Sequence, residues 1–534
     1  MSARSGARGS GRGARVEAAG QLDGLQVEVF KHLFASVAGE MGATLQRSAF
    51  SPNIVERRDY SCALFDAHGR MIGQAAHLPV HLGSSPRSVQ AAIERIRFEP
   101  GDVVVLNDPY AGGTHLPDIT LVSPVFLSEQ GGPSFFVANR AHHADVGGAF
   151  PGSMGPAREI WAEGLRIPPI HLVRGGDLDS DVLALLLANM RGEAEREGDL
   201  LAQWSANRLG VRRLVELGES YGPEVLVARA ADQLAWTARL ATALVGELVD
   251  GHHEVEDRLE LESGEVTLKL AVSVQAERLV CDLTGSDDQV AAPFNTPRAV
   301  VESAVFYVLR CLLPSGTPAS DGVLAPVEIR TRAATVVDPV PPAPVAAGNV
   351  ETSQRLVDLI LSGLAPFLPD RIPAASAGTM SNLTLGWSSG GTWYETHGGG
   401  AGASAERSGE HALQCHMTNT RNTPVEAFER ERPARVVALG IRRGSGGAGA
   451  RSGGDGLEKR LVFLRGVRLG WLADRQRGGP PGLEGGAAGA PGRLRIRTPG
   501  GRWHRLPGNS AVELEAGAEA WIETPGGGGH GSPA

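Results

Sequence analysis

Lysine is almost missing from this chain: Lys31, Lys269 and Lys459 stand alone among 51 lysines and arginines in 534 residues. No Gly-Lys pair occurs, so there is no Walker A loop to cradle a nucleotide phosphate. Lysine Schiff-base chemistry has almost no candidates either. If the reaction uses ATP, another chain or a site of unfamiliar pattern must bind it. Cysteine is scarce as well. Cys62, Cys281, Cys311 and Cys415 lie far apart with no CxxC pair. That argues against a disulfide framework or a thiolate zinc site, and it fits a reducing cytoplasm. No apolar run reaches the roughly 18 residues of a membrane span. Positive charge is not in excess, the net charge being −9, which argues against nucleic-acid or membrane-surface partners.

What the chain does have is two polar motifs about two dozen residues apart. The first is Gly112-Gly113-Thr114-His115-Leu116-Pro117-Asp118. The second is Arg140-Ala141-His142-His143-Ala144-Asp145-Val146-Gly147-Gly148. Apolar runs at 119–126 and 135–138 lie between them, separated by a Gly-Gly-Pro turn. Read as a hairpin, this returns the end of the second strand to the start of the first. Three His and two Asp (His115, Asp118, His142, His143, Asp145) then converge at one end of a small sheet. Imidazole and carboxylate on rigid strand ends are ligands for a divalent cation. Pro117 keeps His115 and Asp118 out of a regular helix, so a tight turn is expected there.

The length suits two to four domains. Residues 1–22 are Gly-, Ser- and Arg-rich without the apolar core of a secretory leader, and read as a disordered tail. Residues 23–180 form the α/β domain that carries the motifs. In 181–345, helical patterns at 182–190, 200–217 and 225–249 precede strands at 254–261, 266–274 and 279–283. Residues 346–440 are rich in polar loops facing a substrate, and 441–534 are Gly-rich and β-forming. The fold class is mixed α+β, multi-domain, with antiparallel sheets and a helical middle region. Four local readings accompany this. The charged stretch 51–59 reads as a solvated loop. His77 and His81 read as core hydrogen-bonders or site residues. Thr352 or Ser353 reads as a helix cap. The run 525–531 reads as a C-terminal turn.

Taken in order, these blocks resemble the hydantoinase B/oxoprolinase family from about residue 24 to 531. The matching segments are Asn53-Ile54-Val55-Glu56-Arg57, Ser61–Asp66, 77–84, Asn107-Asp108-Pro109-Tyr110 through Asp118, and 141–148. Later come Pro151-Gly152-Ser153-Met154, Ala206-Asn207-Arg208, 348–354, 416–422, 445–449 and Thr524-Pro525 with its glycines. The resemblance implies a B-type subunit of an ATP-dependent cyclic amide hydrolase, acting on hydantoins, 5-oxoproline or lactams. It also implies a divalent metal (manganese, zinc or magnesium) held by residues that look like His115, Asp118 and His142. ATP is then expected on an A-type ATPase partner, in a cytoplasmic hetero-oligomer. Asp145 or His143 would serve as general base. Asn107, Asp108 and Tyr110 would form the site wall, with Glu351 and Thr352 as further substrate contacts. His397 stands where the family pattern leads one to expect an apolar residue. Three alternatives remain open: a related ketone carboxylase, a jelly-roll non-haem iron oxygenase built on a two-His, one-carboxylate triad, and a metal-binding subunit without catalysis.

Overall fold

The computed structural model describes residues 24–75, 77–388 and 391–533; the tail expected at 1–22 lies outside them. Seven strands form the sheet that carries both motifs. They are β1 (Tyr60–Asp66), β2 (Met71–Gln74), β3 (Val103–Leu106), β4 (Asp118–Val125), β5 (Phe135–His142), β6 (Ile170–Arg174) and β7 (Asp177–Leu178). Their order is β2-β1-β5-β4-β3-β6-β7. The expected hairpin is β4–β5, and its register sets Asp118 opposite His142 and Thr120 opposite Arg140. Strand β6, hidden in the sequence behind Pro168 and Pro169, adds to β3.

Side-chain alternation sorts the two faces of this sheet. Phe135, Val137 and Ala141 join Cys62, Leu64 and Ile72 on one face. There they pack against Phe34, Met41 and Ala206 of the helices Gly24–Ser48 and Glu193–Tyr221. Val104, Val122, Phe136 and Ala138 face the other way. They merge into a larger core shared with the helices Arg298–Leu312 and Ser353–Leu364. Both faces are covered, so the motif strands are buried throughout. The helical middle is present, followed by the strands Gly251–Glu260, Glu265–Gln275 and Arg278–Asp282 in antiparallel order. The mixed α+β class with antiparallel sheets holds. Among the described residues no helix is long and apolar enough to cross a membrane.

The C-terminal third contains a four-stranded and a five-stranded sheet that share a core of Leu383, Trp393, Leu461, Trp471 and Ile522. Beside them the glycine-rich segments pack backbone against backbone. Gly527 N donates to Gly454 O at 2.9 Å, and Gly447 N donates to Gly527 O at 2.9 Å. A Cβ on Gly527 would lie 2.0 Å from Ala401 O, and one on Gly400 would lie 1.9 Å from Gly454 O. Only glycine fits at these approaches. The run 525–531 is thus mostly buried and woven between three other segments, where a terminal turn was expected.

The segment before the helix Ser353–Leu364 also differs from expectation. A π-helical turn, Gly348–Thr352, leads straight into it, and no side chain caps the start. Thr352 is already helical, and its hydroxyl donates to Phe294 O at 2.5 Å. The stretch 51–59 is only partly solvated: Glu56 and Arg58 are exposed, but Asn53, Arg57 and Asp59 are buried. Arg57 donates to Tyr394 O at 2.9 Å, and its guanidinium lies over the Tyr394 ring. That contact ties the first sheet to the C-terminal part.

Candidate metal centre

His115 opens the turn before β4, Asp118 begins β4 and His142 ends β5. The tight turn expected around Pro117 is present, with Asp118 N donating to His115 O at 3.1 Å. His115 Nε2 lies 3.1 Å from Asp118 Oδ1, and His142 Nδ1 lies 3.2 Å from the same oxygen. The two ring nitrogens are 3.2 Å apart. All three residues are buried, and their donor atoms lie within 4.8 Å of one another. Ligands about 2.1 Å from a shared cation stand roughly 3.0–3.4 Å apart, so the spacing fits one ion.

The protonation of His115 follows from its other nitrogen. Nδ1 sits 3.2 Å from Ala346 O, which can only accept, so Nδ1 carries a proton and Nε2 is the nitrogen left to bind a cation. Burial disfavours a second proton on His115, but the Asp118 charge outweighs burial and raises its pKa. Burial would likewise raise the Asp118 carboxyl. The facing His115, with His142 and His81 close by, instead holds it well below the usual carboxylate range. Asp118 Oδ2 is anchored by Thr114 Oγ1 at 2.8 Å and Asn349 Nδ2 at 3.1 Å. His81 Nε2 approaches it at 3.4 Å. Below this group the buried Arg140 guanidinium is held by Thr120, Ser84 and Ser88 hydroxyls, and burial lowers its pKa to about 10.

These residues line a cavity of about 20 Å³, with Asp59, His81, Asn349, Met380, Tyr394, Thr396, Thr418 and Thr420 as further walls. That volume holds about one water or ion, and a ring only if a wall moves. His81 Nε2, His142 Nε2 and Asn349 Oδ1 are buried without hydrogen-bond partners. Three unmet polar atoms around one small cavity call for a polar or charged guest. The donor set, two imidazoles and a carboxylate, suits a divalent cation. Tyr394 stacks on His142 at 4.7 Å and an interplanar angle of 20°.

The other residues singled out in the sequence lie elsewhere. His143 points to the opposite face of the sheet, where Nε2 meets Gln203 Oε1 at 2.9 Å, and burial pushes its pKa down to about 4. The Asp145 carboxylate accepts from Gly147 N, Gly152 N and Arg191. It shapes the loop after β5 and does not line the cavity. Asn107 bridges Leu116 O, Leu165 O and Ile167 N, and Asp108 caps a short turn at Tyr110 N. Tyr110 donates its hydroxyl to Ala343 O. Glu351 accepts from Asn382, Met380 N and Asp474 N, and burial pushes its carboxyl up to about 8. His397 turns to Ser381 O and the Glu395–Lys459 pair, away from the cavity. His77 Nδ1 accepts from Cys62 N at 3.1 Å, and the half-buried ring does not line the cavity. Sequence reading singled out neither Asp59 nor Met380 as a wall, and it placed Tyr394, Thr396, Thr418 and Thr420 only within the polar loops of 346–440 read as facing a substrate. The Asn53–Asp59 and His416–Asn422 blocks marked Asp59, Thr418 and Thr420 only as loop positions. The ligands stand on a seven-stranded antiparallel sheet, not in the jelly roll that the iron-oxygenase alternative required.

Comparison with known proteins shows the family of the chain. Residues 23–533 match the hydantoinase B/oxoprolinase family. The chain is 38% identical to 5-oxoprolinase 1 of Arabidopsis thaliana over 96% of its own length and 42% of that enzyme. It therefore spans about two fifths of that relative. It is 29% identical to a protein of a Pseudomonas species named as a D-/L-hydantoinase subunit, spanning 96% of this chain and 90% of that one. The crystal structure of the ATP-dependent caprolactamase from Pseudomonas jessenii superposes with a TM-score of 0.87 and 26% identity, over 96% of this chain and 92% of that chain. The chain belongs to the hydantoinase B/oxoprolinase family.

Proposed function

We propose that this chain is the ring-opening subunit of an ATP-dependent cyclic amide hydrolase. The observation that carries this reading is the convergence of His115, Asp118 and His142 on a cavity lined by unpartnered polar atoms. The relatives supply the reaction class. One is named a 5-oxoprolinase, one a hydantoinase subunit and one an ATP-dependent caprolactamase. The 5-oxoprolinase is more than twice as long as this chain, whereas the hydantoinase subunit and the caprolactamase chain are of similar length. An A-type ATPase partner in a hetero-oligomer accounts for the extra length, and for the absence of a Walker A loop here.

His115, Asp118 and His142 would hold a divalent cation such as manganese, zinc or magnesium. When bound, such an ion polarises a carbonyl and makes water more acidic. The chain's own groups do the rest. Thr114 and Asn349 keep Asp118 Oδ2 fixed, which leaves Oδ1 aimed at the two rings. His81 sits on the cavity with Nδ1 at 2.8 Å from Ser61 Oγ. Burial lowers its pKa, so it is neutral and its Nε2 can take a proton from water. This gives His81, with Asp59 beside it, the role that Asp145 and His143 cannot reach. Thr396, Thr418 and Thr420 offer hydroxyls to the substrate's amide.

Reconstitution with the ATPase partner tests this. Ring-opened acid and ADP should form from 5-oxoproline, a hydantoin or caprolactam only with ATP, partner and divalent ion together. His81→Gln should retain metal while slowing turnover about 10²-fold or more. Carboxylation of a ketone with no ring opening of any amide would overturn the hydrolase reading.

A further inference from the structure

We propose that Glu163, which lies outside both motifs, is a positioning residue for the metal centre. This rests on the reading of His115, Asp118 and His142 as that centre. Glu163 follows the short turn Ile160–Ala162 and is 2% exposed. Its backbone is wedged against the loop after β5, because a Cβ on Gly148 would lie 2.6 Å from Glu163 C. From this fixed point its two carboxylate oxygens accept two consecutive backbone amides, Val345 N at 2.9 Å and Ala346 N at 2.8 Å. The clamped peptide presents Ala346 O to His115 Nδ1. That contact fixes the His115 tautomer and turns Nε2 toward Asp118 and His142.

The same peptide leads into the π-helical turn. Gly348 N donates to Val345 O at 2.9 Å, and the turn places Asn349 on Asp118 Oδ2. One carboxylate thus sets the orientation of two of the three ligands without touching either. The geometry requires a carboxylate. A Gln has one acceptor and one donor, so one of the two amides would face an N–H₂ group and lose its partner. Burial pushes the Glu163 carboxyl up to about 8, against the two amide hydrogen bonds and the charge around His115, which lower it. A cation bound there would act in the same direction.

The test is manganese or zinc binding to the purified full chain by titration calorimetry, with thermal unfolding measured in the presence and absence of metal. Glu163→Gln should bind metal about 10–100-fold more weakly, and the metal-induced rise in Tm should shrink. Glu163→Asp, which keeps both acceptors on a shorter arm, should recover part of the affinity. His115→Ala should bind no metal. A purely structural Glu163 would lower Tm equally with and without metal and leave affinity unchanged, and that result overturns the proposal. So does failure of both Glu163 variants to fold. Unchanged binding in His115→Ala would instead overturn the metal-site reading itself, which keeps the two failures apart.

Discussion

His142 and His143 are adjacent and chemically identical, and the sequence motif alone leaves open which of them faces the site. The alternation of β5 divides them: His142 shares a face with Arg140 and Asp118, while His143 shares one with Ala141 and the helix that carries Gln203. His142→Ala should therefore abolish metal binding with modest loss of stability. His143→Ala should keep metal and cost about 1–3 kcal/mol, because it leaves Gln203 Oε1 unpartnered in the interior. Calorimetry and chemical denaturation of the two variants separate these outcomes. His115 sets the pH dependence. Its pKa in the metal-free fold lies above the ordinary 6.5. Its contribution to metal-free stability is therefore full below 6.5 and lost as pH rises through the folded value. Metal must displace that proton, so the sign reverses for binding. Affinity should rise about tenfold per pH unit up to the folded pKa and then level off. A flat profile from pH 6 to 8 would contradict this linkage. At this scale residue type and hairpin spacing marked five candidates, and the resemblance narrowed them to the three whose donor atoms lie together. Asn107, Asp108 and Tyr110 looked like site residues because they are polar and close in sequence. Their side chains are spent on neighbouring backbone groups.

Among the elements, the ones read well are those whose signal is local. The helical patterns at 182–190 and 225–249 appear as the helices Ser180–Ala188 and Pro223–Gly246. The run 525–531 reads as a terminal turn because backbone-to-backbone packing has no apolar periodicity to detect; only the density of glycine marks it. The bundle makes a sharp prediction. Gly527→Ala would set a methyl 2.0 Å from Ala401 O and should destabilise by about 3 kcal/mol or abolish folding. Gly440→Ala, in a strand where nothing lies within 4 Å, should stay within about 0.5 kcal/mol. Thermal unfolding of the pair checks it. The π-helical turn was hidden for a related reason. Gly348 is there because a Cβ would sit 1.9 Å from Asn295 O. The sequence shows the glycine but not the segment that crowds it.

Across the whole molecule, the cavity draws on residues from Asp59 to Thr420. Such convergence depends on contacts distant in sequence, which no local pattern encodes. Tyr394, Thr396 and Thr418 could be read only as members of polar loops facing a substrate, not as neighbours of His115 and Asp118. What carried across the full length was the ordered set of motifs, and the family match over residues 23–533 agrees with it. Everything proposed for the site depends on one divalent ion binding at His115, Asp118 and His142. The decisive measurement is the metal content of the purified full chain after loading with manganese or zinc and desalting, taken beside Asp118→Ala. The parent chain should retain one equivalent of metal and the variant none, with both folded. Equal metal content in the two proteins would contradict the assignment.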